Sequence, residues 1–482
     1  MLFNSLIFLA FFAVVFLVYW FPLKNTTKGQ NIFLLLASYF FYGYADWKML
    51  PLLIGATVIF YYLGKGIATA KSEKQSYWLT TLGVVLGVGT LLYFKYFNFF
   101  IESFAALFEA CGLHTNLHTF NIIMPLGISF FTFRLLSYVI DIYRGKCEPT
   151  NDIVAFGAYV AFFPCLLSGP IDRPSFITQL KSARTFEYDK AVDGCRQILW
   201  GAFKKMVVAD NCATYVDQVW GNIDGSSGST LVLAAVLYSC QMYADFSGYS
   251  DMAIGIGKLL GLNVTKNFNY PFFALNIADY WRRWHMSLTS WLTDYVFMPL
   301  NIRFRDWGQW GMILAIVINM VVVGMWHGAN WTFAVFGLYH GLLFVPLILS
   351  GAFFKKAKLQ TNRLGLPVAK DFGRMILTFA LVTIGLMIFR AESIGQVWEY
   401  MCGICDPSIL SVPRLLTRSY YISLCFFLLL MFGVEWVQRK EEYGLALNSV
   451  HSKFLRYCIY LLIVLLIAWG GGSAETYIYF QF

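Results

Sequence analysis

The chain has 482 residues, of which 58% are hydrophobic, 19% aromatic and only 13% charged, with a formal net charge of +9. Soluble domains carry about 25% charged residues, so this composition cannot clothe a water-facing surface and excludes a soluble globular protein. The positive balance does not indicate nucleic acid, because the basic residues gather in loops between apolar segments, as in the cytoplasmic loops of membrane proteins.

A membrane-spanning helix takes roughly 20 apolar residues, and stretches of that kind recur from Met1–Leu23 to Leu461–Gly472. The first 23 residues lack the basic leader and small-residue cleavage site of a signal peptide, so they are expected to remain as a first span. Lys24 and Lys28 follow it, which places the N-terminus outside and the first loop in the cytoplasm. Tyr19, Trp20, Trp47, Tyr77 and Trp78 sit where apolar stretches meet polar loops, the position of an interfacial aromatic belt. Basic loops at 65–74, 173–205, 258–305, 355–374 and 439–456 are assigned to the cytoplasmic side, and the Lys- and Arg-free segments 101–119, 211–230 and 470–482 to the outside.

Counting between these anchors gives about eleven spans. Alternation fails once. Arg144 and Lys146 look cytoplasmic, yet the apolar run Ile153–Leu167 leads straight into another basic loop. Pro164, Gly169, Pro170 and Pro174 would break a helix there, so the run reads as a re-entrant hairpin or as an interfacial helix. No internal repeat is visible, which counts against a repeat-built transporter, and the longest hydrophilic stretch, Asp172–Lys205, is too short for a core of its own. The expected fold is all-α, a polytopic integral membrane protein with re-entrant segments. It forms one domain over 1–482, with a core at 119–350, peripheral N-terminal spans in 1–98 and additional C-terminal spans in 374–472.

Trp307–Phe354 contains no Asp, Glu, Lys or Arg and is flanked by basic loops, which predicts a helical hairpin. Its middle reads Gly324-Met-Trp-His327-Gly-Ala-Asn-Trp331, its returning arm carries His340, and His285 lies upstream in Tyr280-Trp-Arg-Arg-Trp-His-Met-Ser287. Ionisable residues inside a bilayer are costly and mark function. Burial favours neutral imidazole, the form that accepts a proton as a general base. His327, at the predicted bend, is the leading catalytic candidate, with Trp326 and Asn330 beside it; for His340 a packed core role is an equal alternative. No HxxxH pair or nearby carboxylate gives the three histidines zinc-like spacing, so no metal is expected. Cys402 and Cys405 form a lone CxxC, a weak redox or metal signal. Gly255-Ile-Gly-Lys-Leu-Leu-Gly261 is off the dinucleotide spacing, and no G-x-S-x-G elbow occurs. Asp245 and Asp251, in Tyr243-Ala-Asp-Phe-Ser-Gly-Tyr-Ser-Asp251, either hydrogen-bond a substrate or brace a neighbouring helix.

Taken together, Met124-Pro-Leu-Gly-Ile-Ser-Phe-Phe-Thr-Phe133, Asp141-Ile-Tyr-Arg-Gly145, Ser168-Gly-Pro-Ile-Asp-Arg173, Asp245-Phe-Ser-Gly-Tyr-Ser-Asp251, Trp281-Arg-Arg-Trp-His285 and Trp326-His-Gly-Ala-Asn-Trp331 resemble the membrane-bound O-acyltransferase family, in its bacterial alginate O-acetylation branch. The resemblance maps the family's near-invariant histidine onto His327 and its second polar site residue onto His285. Arg134 and Asp172 depart from the family pattern, which expects Gln and an apolar residue there. The resemblance implies a tunnel between the membrane faces, location in the bacterial cytoplasmic membrane, and contact with membrane lipid. It implies transfer of an acyl group, acetyl above all, from acetyl coenzyme A or an acyl carrier protein towards an extracytoplasmic polysaccharide, with no tightly bound cofactor. An SGNH-type acetyltransferase is the implied partner outside. Arg282 and Arg283 could attract a phosphorylated donor. D-alanyl transfer to a cell-envelope polymer is the competing reading within the family, and a transporter or glycan exporter with proton-relaying histidines the competing class.

Overall fold

The computed structural model describes residues 1–113, 119–414, 416–448, 450–472 and 477–478. The chain clusters into two compact units, one of Met1–Cys195 with Ala253–Thr265, the other of Arg196–Met252 with Lys266–Phe482. Secondary structure among the described residues is helical throughout, apart from a single isolated bridge between Thr361 and Pro367.

The first unit contains α1 (Leu6–Trp20), α2 (Thr27–Asp46), α3 (Leu50–Ala68), α4 (Glu73–Leu91), α5 (Phe97–Ala110), α6 (Ile128–Tyr143), α7 (Ile153–Val160) and α8 (Phe176–Lys181), and α9 (Tyr188–Phe203) begins in it. Side-chain oxygens start several of these helices: Ser5 accepts from the Phe8 N–H, Ser72 from Gln75, and Asp152 from Val154 and Ala155. Each satisfies a donor that the first helical turn leaves open. Helix α6 is packed against α3 and α4 and is buried along nearly its whole length.

Beyond α7 the backbone breaks. A single tight turn at Phe163–Cys165 is followed by irregular chain to Pro174, and residues 155–172 are all buried. Arg134 of α6, fully buried, answers the carbonyls this break leaves open. Its guanidinium donates to the oxygens of Tyr159 (3.0 Å), Val160 (3.1 Å), Cys165 (3.0 Å) and Pro170 (3.4 Å). Asp172 accepts at Oδ1 from the Thr265 N–H and hydroxyl, at 3.0 and 2.8 Å. Protein therefore surrounds the broken backbone, the setting in which a bilayer tolerates it. Arg134 and Asp172, the two departures from the family pattern, both serve as braces here.

The second unit takes up α9 and adds α10 (Asp210–Trp220), most of α11 (Gly228–Leu259), α12 (Ile277–Trp281), α13 (Met286–Leu292), α14 (Met298–Arg303), α15 (Gly308–His327), α16 (Trp331–Leu349), α17 (Ala369–Arg390), α18 (Ile394–Ile404), α19 (Arg418–Val437) and α20 (Lys453–Gly470). Seven helical runs among the described residues are long and apolar enough to cross a membrane. Two of them, Thr27–Ala68 with 42 residues and Glu73–Ala110 with 38, exceed one crossing at about 1.5 Å per residue and a core of roughly 30 Å. The protein is an all-α, multi-pass membrane protein. Cys402 and Cys405 are exposed free thiols.

Candidate active site

Helices α15 and α16 form the charge-free hairpin and pack closely against each other. Glycine permits that approach: a Cβ at Gly324 would overlap the Phe333 carbonyl oxygen, and one at Gly337 the Met320 oxygen. Small residues at such crossings let helix backbones meet in a bilayer. The structure keeps α15 helical through His327, its last residue, and turns only at Gly328–Asn330. Asn330 caps α16, accepting from the Thr332 N–H at 3.0 Å, and its amide donates to the Glu392 carbonyl at 2.7 Å. Asn330 thus holds the turn that presents His327.

The His327 ring is 7% exposed and lies edge-on to Trp326 and Phe389, with both ring centroids 5.0 Å away. The His285 ring centroid is 6.3 Å from it and 5.7 Å from Trp326. Two histidines separated by 42 residues in sequence are therefore neighbours, with Trp326 against both. Their separation is too long for a direct nitrogen-to-nitrogen hydrogen bond and short enough for one substrate group to touch both rings.

His285 is held in an unusual backbone conformation, φ 44° and ψ 51°, at the N-terminus of α13. The left-handed region costs a non-glycine residue roughly 1–3 kcal/mol unless its surroundings impose it. The loop after α11 supplies that constraint. The Asn269 N–H donates to the Arg283 carbonyl at 2.9 Å, and the Met286 N–H to the Asn267 carbonyl at 2.8 Å, so two loop segments clasp each other. Within the clasp, Asn267 Oδ1 lies 3.0 Å from His285 Nδ1, 2.9 Å from the Ser287 hydroxyl and 3.3 Å from the Ser287 N–H. Nothing in the sequence motifs singles out Asn267. It stands 18 residues before His285, in a polar loop without a recognisable pattern.

His340 sits elsewhere. Its Nδ1 accepts from the Trp281 indole N–H at 3.3 Å, so in the neutral ring Nε2 carries the hydrogen. That nitrogen points at Gly385 of α17, where a Cβ would collide with it. The Phe336 ring neighbours both His327 and His340, with centroids at 6.4 and 4.7 Å.

Asp245 and Asp251 lie on α11 and face the turn that follows α9. Lys205 pairs with Asp245 at 2.7 Å and Asp210 at 2.8 Å, and Lys204 with Asp251 at 2.5 Å. The Ile478 N–H also donates to Asp245, at 3.0 Å. These contacts place both carboxylates, Asp245 buried and Asp251 half-buried, in an ion-pair lattice that joins helices, as the bracing alternative requires. Arg283 is engaged by Asp279 at 3.0 Å. Arg282 is exposed and lines a cleft of about 270 Å³ together with Trp281, Thr289, Thr293, Asn319 and Phe353. Among the described residues no three His, Cys, Asp or Glu side chains gather as a metal site requires.

The comparisons with known proteins bear on this geometry. Residues 150–389 match the membrane-bound O-acyltransferase family (MBOAT), a range that includes the clasp, the hairpin and Phe389. A protein of Azotobacter vinelandii named as a probable alginate O-acetylase is 37% identical, covering 83% of this chain and 77% of the relative. A peptidoglycan O-acetyltransferase of Helicobacter pylori is 33% identical over 84% of this chain and 80% of its own length. A teichoic acid D-alanyltransferase of Bacillus subtilis is 32% identical over 56% of this chain and 70% of its own. Such similarity across most of the chain decides between enzyme and exporter: the protein belongs to the membrane-bound O-acyltransferase family and is a multi-pass O-acyltransferase.

Proposed function

We propose that the enzyme transfers an acetyl group from a cytoplasmic thioester donor, across the cytoplasmic membrane, towards an extracytoplasmic polysaccharide. The observation that carries this reading is the meeting of His327 and His285 on one another's doorstep, rings 6.3 Å apart, inside a buried aromatic surround. The alginate and peptidoglycan O-acetylating relatives match 83% and 84% of the chain, against 56% for the D-alanyltransferase, which favours acetyl over D-alanyl.

In the proposed reaction the acceptor hydroxyl oxygen attacks the thioester carbonyl while His327 takes the hydroxyl proton as general base. The tetrahedral intermediate collapses, the carbon–sulfur bond breaks, and the leaving thiolate takes the proton back from His327. Because His327 ends α15, the partial negative charge of the helix C-terminus stabilises the imidazolium formed in between. His285 orients the acceptor. The cleft at Trp281 and Arg282 is the proposed donor entrance: Arg282 offers a cation at an exposed edge for the phosphates of acetyl coenzyme A or of a carrier protein's prosthetic arm, and Thr289, Thr293 and Asn319 offer polar atoms for its amides. The onward acceptor is proposed to be an SGNH-type acetyltransferase outside the membrane.

The test is to incubate the purified full-length protein with isotopically labelled acetyl coenzyme A, or with labelled acetyl carrier protein, in the presence and absence of an SGNH-type partner. Label should move to the partner or to its glycan only when this protein is present. Label that stays on both donors in every mixture sinks the reading.

A further inference from the structure

Resting on that reading, we propose that Asn267 is a positioning residue that fixes the His285 tautomer and thereby makes His285 a hydrogen-bond acceptor towards the substrate, not an oxyanion donor. Amide oxygen and nitrogen are distinguished by their partners, and a backbone N–H can only donate. The Ser287 N–H lies 3.3 Å from Asn267 Oδ1, and the amide nitrogen of Asn267 makes its own contact with the Ser250 hydroxyl at 3.2 Å. The atom facing His285 is therefore the oxygen.

An amide oxygen only accepts. At 3.0 Å from His285 Nδ1, it requires the proton of the neutral ring to sit on Nδ1, which leaves the lone pair on Nε2. A neutral histidine in this tautomer cannot donate from Nε2 to a developing oxyanion; it can accept from a hydroxyl. Of the two roles open to the second histidine, orienting the acceptor and stabilising the oxyanion, the clasp selects the first. The rings packed around His285 belong to Phe246, Phe268, Trp326 and His327, of which His327 is the titratable one. The anchor is also rigid: Asn267 is fully buried, and its own carbonyl holds the Met286 N–H.

The variants Asn267→Asp and Asn267→Ala separate positioning from folding. Aspartate has the size of asparagine and still accepts from Nδ1, but a carboxylate beside the ring favours its protonated form. Since His285 must be neutral to accept, the acid limb of the pH–rate profile should move up by about one unit or more, with near-normal rates recovered on the alkaline side. Alanine releases the tautomer, and kcat should fall at least about ten-fold at every pH with little change in donor KM. Adding Asn267→Ala to His285→Ala should cost nothing further. The assay uses membrane vesicles that contain the full chain, its partner and its polymer, supplied with labelled acetyl coenzyme A. An unshifted profile for Asn267→Asp, or an additive loss in the double variant, overturns the assignment. If His327→Ala and His285→Ala retain full transfer, the acyl-transfer reading itself fails; if they lose it while both Asn267 variants match the wild type, only the role of Asn267 fails.

Discussion

Arg134 and the histidine pair are both ionisable groups buried in a membrane protein, yet their surroundings give them opposite work. The partners of Arg134 are four backbone carbonyls from one broken segment, contributed by residues 159–170. A guanidinium spread over fixed carbonyls is immobile and its charge is consumed by structure. His285 and His327 sit among aromatic rings, and the polar partner of His285 sets which nitrogen holds the proton. That arrangement leaves a protonation change available. Burial of charge alone thus says little about function; the identity of the partners says more.

Breaking each site should separate the two roles. His327→Ala should lower transfer by about 10²–10⁴-fold, the usual worth of a general base, while the buried ring it removes costs only about 1–2 kcal/mol of stability in detergent and leaves the protein folded. A comparable loss of folded protein would erase the contrast. Arg134→Lys should do the reverse, because an ammonium cannot reach four carbonyls at once. The expected loss is about 3–5 kcal/mol, read as a lower unfolding temperature, with the surviving folded fraction transferring acetyl at a normal rate. Gly385→Ala drives His340 away from α17 and disturbs its bond with Trp281, at a cost of about 1–3 kcal/mol. If the donor enters beside Trp281, this variant also raises donor KM. Asn330→Ala removes one cap from the turn after His327 and should cost about 1 kcal/mol, the smallest effect, visible in a thermal scan and modest in rate.

Composition revealed the membrane class, because so few charges cannot face water. The charge-free run Trp307–Phe354 revealed the hairpin, and its polar bend located His327, since periodicity and caps are local signals. The clasp could not be read the same way. Asn267 and His285 meet through loops whose course depends on tertiary packing, and the left-handed backbone at His285 has no glycine to announce it. Lys204 and Lys205 looked like part of a cytoplasmic basic loop, yet both are buried against α11, 40 or more residues onward. Charge counting assigns sides of a membrane but cannot tell a solvated lysine from one consumed by a buried ion pair. Arg134 likewise drew notice only as an oddity of pattern; its meaning lay in carbonyls that a broken helix leaves open.

Arg134 also constrains how the protein is made. The carbonyls it binds lie 25 to 36 residues downstream, and at synthesis rates of roughly 5–20 residues per second the guanidinium waits seconds for partners that do not yet exist. A lone arginine is costly in hydrocarbon during that interval. Helix α6 is therefore costly to settle in the bilayer on its own, and admission of residues 128–174 as one unit is the expected route of insertion.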